Sequence, residues 1–238
     1  MMSAHPREIT TAGLATNRSG PLALVYRGPA SKPGCPEAVA ALLRSSRWAF
    51  DVRYVGPKEQ LRLSESVLAS AALYAQPGGG GLTRSYRRIR RQADLIRAYV
   101  ASGGRYLGFC LGGYLAGATP GFALLPGDTD RHIASPGATV DTDADSVVEV
   151  QWRGCSRYMY FQDGPCFRLL PHAEHVTVLA RYPNGEVAAL VAAFGAGKVG
   201  VVGPHPEATP EWYMEFGLVD PDGLDADLGH DLIDTVMQ

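Results

Sequence analysis

A cysteine, Cys110, sits among glycines in the stretch "YLGFCLGGYLAG", Tyr106 to Gly117, where an apolar run gives way to helical spacing. A thiol on a sharp strand-to-helix turn is lifted above a sheet, but the backbone there is strained and crowded by its neighbours. Gly108 and Gly112, two residues before and two after Cys110, relieve that crowding. The following helix aims its amides and positive dipole end at the sulfur, which favours thiolate at neutral pH. Taken alone, Cys110 could still be a small apolar filler, because buried cysteines are usually inert.

A thiol nucleophile acting on an amide or ester needs a base within hydrogen-bond reach, and the base needs a group to hold it. Among the histidines, His205 follows the apolar run "KVGVVGP" and so leaves the end of a strand, as Cys110 does. Pro206 biases His205 toward an extended conformation. Residues two apart in an extended segment share a side, which brings Glu207 beside the imidazole. The carboxylate then holds one ring nitrogen and leaves the other to face the thiol. Each motif alone has a plain reading, the second as a surface loop; their joint position just past two strands favours a Cys-His-Glu site.

Other candidates carry less. Cys35, before Pro36 at a helix start, could also be acidified, but no base pairs with it in the sequence, and a tolerated loop cysteine is the plainer reading. The run Tyr160 to Gly164 could enter a crevice as a turn and offer Asp163 to a substrate, or form an ordinary hairpin. His172 and His175 near Cys166 lack a fourth zinc ligand and supporting partners, so neither a metal nor a cofactor is expected. Tyr26, Ser31 and Tyr114 are further crevice candidates.

The elements that position these residues follow from periodicity. "LALVYRG" reads as a strand, "CPEAVAALLRSS" as a helix with Val39, Leu42 and Leu43 on one face, and "AFDVRYVG" as an alternating strand. "LSESVLAS" suits a helix, "AALYAQPGGGG" a third strand closing on four glycines, Arg84 to Val100 a longer helix stopped by Gly103-Gly104, and "RYLGFC" a fourth strand. Strands alternating with helices imply a parallel sheet covered on both faces. Ligands then sit beyond the carboxyl ends of the strands, so the loops 28–36, 77–81 and 108–113 face one crevice. After Pro120 the segments "SVVEVQWRG", "RYMYFQDG" and "VTVLARYPNGEVAALVAAFGAGKVGVVG" read as hairpins on the same sheet, with Asn184-Gly185 as a turn. "HDLIDTVMQ" suits a final short helix.

Composition bounds the rest. Hydrophobic residues make up 46% and charged residues 19%, the balance of a globular protein, and a net charge of -2 gives no nucleic-acid surface. The basic cluster Arg84 to Arg91 reads as a solvated helix face. No stretch has the roughly 20 apolar residues of a membrane span and no signal peptide is visible, so a cytoplasmic setting is expected. The four cysteines form no CxxC pair and are expected as free thiols. Residues 1–20 are read as a flexible tail and 21–238 as one domain.

With these residues in hand, the chain resembles the class I glutamine amidotransferase-like superfamily, whose members carry a G-x-C-x-G elbow and a late His-x-Glu. The likeness runs from Leu22 onward in the same order. Within that superfamily it is nearest to the amidotransferase-like N-terminal domain of some biotin-protein ligases, on "PGGGG", "IRAYVASGGRYLGFCLGGYLAG", "YFQDGPCF" and "GPHPEA". The resemblance implies an α/β, flavodoxin-like, doubly wound and mostly parallel sheet, with helices on both faces and antiparallel hairpins added in the C-terminal half. It implies Cys110 as nucleophile, His205 as general base and acid, and Glu207 as its orienting group. The oxyanion would be held by the Leu111 N–H and one from Gly79 or Gly80.

Glutaminase members usually carry Gln four residues after the nucleophile; Tyr114 stands there in this chain, so whether glutamine is the substrate stays open. Tyr114, Asp163 and Ser31 are the candidate substrate contacts. The expected function is an amide hydrolase or acyl/amido transferase acting on a small-molecule carboxamide or ester, the alternative a non-catalytic ligand-binding or regulatory domain of the same fold. The redox-sensor or chaperone-like branch, which normally lacks the late His-x-Glu, ranks last. The expected partner is a small-molecule substrate rather than nucleic acid or membrane. A separate synthetase or acceptor protein and a homodimer stay open.

Overall fold

Strands and helices alternate through the amino-terminal half of the computed structural model, which describes residues 20–238. The tail expected over 1–20 lies, Gly20 apart, outside the described residues. The order is β1 (Leu22–Tyr26), α1 (Cys35–Ser45), β2 (Asp51–Val55), α2 (Glu65–Ala69), β3 (Leu73–Gln76), α3 (Leu82–Ile89), α4 (Ala93–Ala101), β4 (Arg105–Phe109) and α5 (Leu111–Ala116). Strands then dominate: β5 (Gly127–Arg131), β6 (Ser146–Trp152), β7 (Cys155–Phe161), β8 (Pro165–Leu169), β9 (Val176–Arg181), β10 (Val187–Phe194) and β11 (Gly197–Val202), followed by α6 (Pro210–Glu215) and α7 (Ala226–Met237).

All eleven strands join one sheet. Its parallel part runs β2-β1-β3-β4-β11, which is the flavodoxin-like order with the last strand of the chain in the fifth place. β10, β9, β6 and β7 continue it in antiparallel fashion. Because crossover helices cover both faces, the parallel strands are apolar on both sides. Ala23 and Val25 of β1 join the core under α1 and α7, whereas Leu24 and Tyr26 join the opposite core with Ile96, Val100, Leu111 and Leu115.

Local chemistry explains the helix ends. In α1, Pro36 occupies the first turn and the Gly34 N–H donates to the Glu37 carboxylate at 3.0 Å, while Val39, Leu42 and Leu43 are buried as their spacing requires. The expected helix from Arg84 to Val100 is instead broken by a 3-10 turn at Arg90–Gln92. That stretch offers the core only Ile89 and sets arginines three and four residues apart, a like-charge spacing that disfavours a straight α-helix. Its arginines are exposed, as a solvated face requires.

Four further elements depart from expectation. β5 and β8 pair with each other off the main sheet path; "GDTDR" has no apolar alternation to announce a strand. α6 went unanticipated, and α7 starts at Ala226 rather than near His230. Its extra turn buries Leu228 beside Leu232, Ile233 and Val236. The turn at Asn184-Gly185 does close the β9–β10 hairpin, with Gly185 at φ 88°. Among the described residues no helix is long and apolar enough to cross a membrane.

One buried group links the packing to pH. The His132 ring is inaccessible, stacked on Tyr182 at 3.6 Å and edge-on to Phe161, and neither ring nitrogen has a partner among the described residues. Burial pushes its pKa down from 6.5 to about 4. Below 6.5 the unfolded chain binds a proton that the folded chain refuses, so stability is lost as pH falls from about 6.5 through 4, by up to ~3 kcal/mol. Urea unfolding at pH 7 and pH 4.5 is expected to show this drop, and His132→Phe to shrink it; an equal drop in the variant would refute the assignment.

Candidate active site

The elbow is built where β4 meets α5. Cys110 has φ 47° and ψ -104°, a left-handed-side conformation that a non-glycine residue adopts only when its surroundings enforce it. Its N–H extends the β4–β11 ladder by donating to the Val202 carbonyl at 2.9 Å, and its carbonyl accepts from the Tyr114 N–H at 3.0 Å. The flanking glycines are needed as the sequence implied. A Cβ on Gly108 would meet the Gly112 carbonyl oxygen at 2.5 Å, and one on Gly112 would overlap the Gln76 carbonyl. The buried Tyr106 hydroxyl donates to the Gly112 carbonyl at 2.7 Å, pinning the turn from below.

β11 supplies the second half. Its register sets Val202 opposite Phe109, so the chain leaves both strands side by side and His205 comes to the sulfur's end of the sheet. The His205 N–H donates to the Tyr160 carbonyl at 2.9 Å. Nδ1 of His205 lies 2.9 Å from Oε1 of Glu207, and both side chains are buried. The route differs from the extended segment expected. The Ala208 N–H donates back to the His205 carbonyl at 3.0 Å, so residues 205–208 form a turn with Pro206 at its first corner, and the turn carries the carboxylate under the ring.

Burial alone would favour a neutral imidazole, but the Glu207 charge and the adjacent Cys110 sulfur outweigh it and raise the His205 pKa from 6.5 to about 10. Trp212 of α6 stacks edge-on against the ring at 5.4 Å and Tyr160 at 5.9 Å, which fixes its plane. Oε2 of Glu207 is buried with no partner among the described residues, so this carboxylate has the imidazole as its main counter-group.

Cys110 stands between two cavities. A wide one of about 500 Å³ opens over the glycine loop and Leu111 toward Tyr114, Arg131 and Asp163. A narrow one of about 90 Å³ lies on the His205 side, walled by Cys35, Tyr160, Trp212 and Phe216. Gly79, Lys32 and Gln162 border both. Leu111 is the first residue of α5, where N–H groups have no intrahelical acceptor. The amides of Gly79 and Gly80 likewise have no acceptor among the described residues.

The family model described as "Biotin-protein ligase, N terminal" matches residues 22–137. The biotin-protein ligase of Schizosaccharomyces pombe is 30% identical over 172 residues, an alignment spanning 60% of this chain and 26% of that ligase. This chain is similar to the amidotransferase-like N-terminal domain of biotin-protein ligases. It spans about a quarter of the curated relative's length. Solved structures bear out the fold. A crystal structure of a glutamine amidotransferase aligns at TM-score 0.57 and 20% identity over 82% of this chain and 96% of that one. A candidate GMP synthase component from Thermoplasma acidophilum aligns at 0.57 and 12% identity over 90% and 95%. Cys110 falls inside the segment matched by the biotin-protein ligase family, and His205 and Glu207 fall beyond it.

Against that family background the remaining residues sort clearly. Tyr114 lines the wide cavity and its hydroxyl donates to the Asp163 carbonyl at 3.1 Å, tying α5 to the β7–β8 turn. Asp163 enters the cavity wall at φ 48°, but its carboxylate is taken by Arg131 through bonds of 3.0 and 2.7 Å. Ser31 turns inward: its hydroxyl donates to the Gly28 carbonyl at 3.0 Å, and it borders neither cavity. Tyr26 is buried in the core beside β2 and lies away from both.

Cys35 corrects its expectation. It is no loop residue but the buried first residue of α1, and burial pushes its thiol up, away from thiolate. Cys166 is buried against Ser135 and the Asp130 carbonyl, whereas His172 and His175 are exposed between β8 and β9. Sequence reasoning missed Lys32, Arg131 and Trp212. Only a helix signal at Pro210 with Thr209 before it could have flagged Trp212.

Proposed function

We propose that the chain is a cysteine-nucleophile amide hydrolase or acyl/amido transferase working on a small-molecule carboxamide or ester. Cys110 is the nucleophile, His205 the general acid and base, and Glu207 the group that orients and charges the ring. The raised His205 pKa favours a protonated ring at rest, able to give its proton to a leaving group. The thiolate attacks the carbonyl carbon and the carbonyl electron pair moves to oxygen, where the Leu111 N–H and that of Gly79 or Gly80 receive it. Collapse breaks the C–N or C–O bond, and His205 gives its proton to the departing amine or alcohol, leaving a thioester. His205, now neutral, takes a proton from water or another acceptor as that attacks; sulfur leaves as thiolate and the pair is restored.

One observation carries this reading: the buried 2.9 Å contact of His205 with Glu207 at the strand end adjoining a cysteine held at φ 47°. Alkylation by iodoacetamide followed by mass-spectrometric mapping tests it. Cys110 is expected to label at least ~10-fold faster than Cys35, Cys155 or Cys166 at pH 7, and a panel of amides and esters to release amine or alcohol with the parent and not with Cys110→Ala. Equal labelling of all four thiols would count against an activated Cys110. The second reading, a binding domain without turnover, is favoured by Tyr114 and its tie to Asp163. Metabolite binding retained by Cys110→Ala, with no product from the parent, would support it.

A further inference from the structure

Lys32, an exposed residue, lines both the wide and the narrow cavity, as Cys110 does. Its backbone is fixed on both sides: its N–H donates to the Gly78 carbonyl at 3.1 Å, and its carbonyl accepts from the Cys35 N–H at 3.2 Å at the head of α1. The ammonium makes no salt bridge among the described residues, whereas the other cation of the wide cavity, Arg131, is held by both oxygens of Asp163. Glycines, Leu82, Leu111, Tyr114 and Gln162 complete that wall. Among the described residues, Lys32 is therefore the cation of the wide cavity without a carboxylate partner. On the narrow side the balance is different: Asp145 accepts from the Tyr160 hydroxyl, Glu215 stands at the rim, and His205 with Glu207 is a neutralised pair.

Gly80 and Gly81 add to this. Neither has a positive φ, and a Cβ on either would touch nothing within 4 Å. Fold and backbone do not require glycine at these two places. Both glycines line the wide cavity with Lys32 and Cys110.

We propose that Lys32 determines specificity in this site: the donor bears an anionic group on its acyl part, which pairs with the Lys32 ammonium while the scissile carbonyl lies against Cys110. The acyl part occupies the wide cavity and the leaving group the narrow one, on the side of the acid His205. This rests on the catalytic reading of Cys110 given above.

Iodoacetate and iodoacetamide test it, because they differ only in a carboxylate for a carboxamide. Each forms a C–S bond at the thiolate and expels iodide. The rate ratio, iodoacetate over iodoacetamide, is measured at Cys110 in the intact protein, with exposed Cys155 as internal reference. The ratio is expected to be higher at Cys110 than at Cys155. Lys32→Met is expected to lower it about five- to tenfold, the size of a unit charge acting over a few ångströms at an intermediate dielectric. Lys32→Arg is expected to restore it, and about 0.5 M KCl to weaken it. A change of less than about twofold in Lys32→Met overturns the proposal. Intrinsic thiol reactivity cancels in the ratio. Slow labelling of Cys110 by both reagents would therefore count against catalysis and leave the Lys32 result readable, whereas fast labelling with an unchanged ratio would remove Lys32 alone.

Discussion

Replacing His205 with alanine is expected to lower amide or ester turnover ~10⁶-fold, the usual cost of losing the histidine of a nucleophile–histidine–carboxylate set. It is also expected to slow Cys110 alkylation at pH 7, because the positive ring that favours thiolate is lost. The shape of the pH profile is the sharper readout. With the His205 pKa raised to about 10, the ring stays protonated through the neutral range, and the parent's labelling rate should depend less steeply on pH between 7 and 9 than the variant's. The variant should rise with pH as a free thiol does. The same shift bears on folding: a histidine at 6.5 unfolded and about 10 folded lends stability that is complete below 6.5 and is lost as pH rises through 10. Superimposable profiles for parent and variant would show that His205 does not charge Cys110.

The second large effect is steric. Gly112→Ala sets a Cβ onto the Gln76 carbonyl oxygen, a backbone atom of β3 that no rotamer change can move. The expected cost is ~3 kcal/mol or more, read as a drop in the urea midpoint, together with loss of fast Cys110 labelling as α5 is pushed off its seat. Gly113→Ala is the control. Its Cβ would meet the Pro165 and Phe167 side chains at 3.1 and 3.2 Å and the Val202 carbonyl oxygen at 3.2 Å, each needing only a few tenths of an ångström against the overlap at Gln76, and alanine regains helix propensity. It is expected to cost far less. If the two variants unfold alike, crowding at Gln76 is not what reserves residue 112 for glycine.

Both effects trace to features legible in the chain. The spacing of Gly108, Cys110 and Gly112 reports a local backbone problem, a strained turn with neighbours too close for side chains, and the residues that solve it are contiguous. The alternation of β1, α1, β2, α2 and β3 was readable for the same reason, since apolar periodicity is set within each element. The polar strand β5 and the short α6 were not readable. "GDTDR" pairs through its backbone and the Asp130–Arg168 ion pair rather than through apolar side chains, and α6 buries only Tyr213, too little to leave a periodic trace.

Local patterning along the chain suffices for most of the elements, the elbow, and a His-x-Glu pair able to hold a charge. Which of these meet depends on the folded arrangement. Only the insertion of β11 beside β4, in a register that sets Val202 against Phe109, brings His205 to Cys110. The same folding neutralises Asp163 with Arg131, turns Ser31 inward, seats Trp212 on the imidazole and leaves Lys32 on the two cavities that Cys110 borders, with no ion partner among the described residues. The reason is physical: side-chain patterning records what each segment buries, whereas strand order and ion pairing depend on residues far apart in the chain, whose meeting no local spacing encodes.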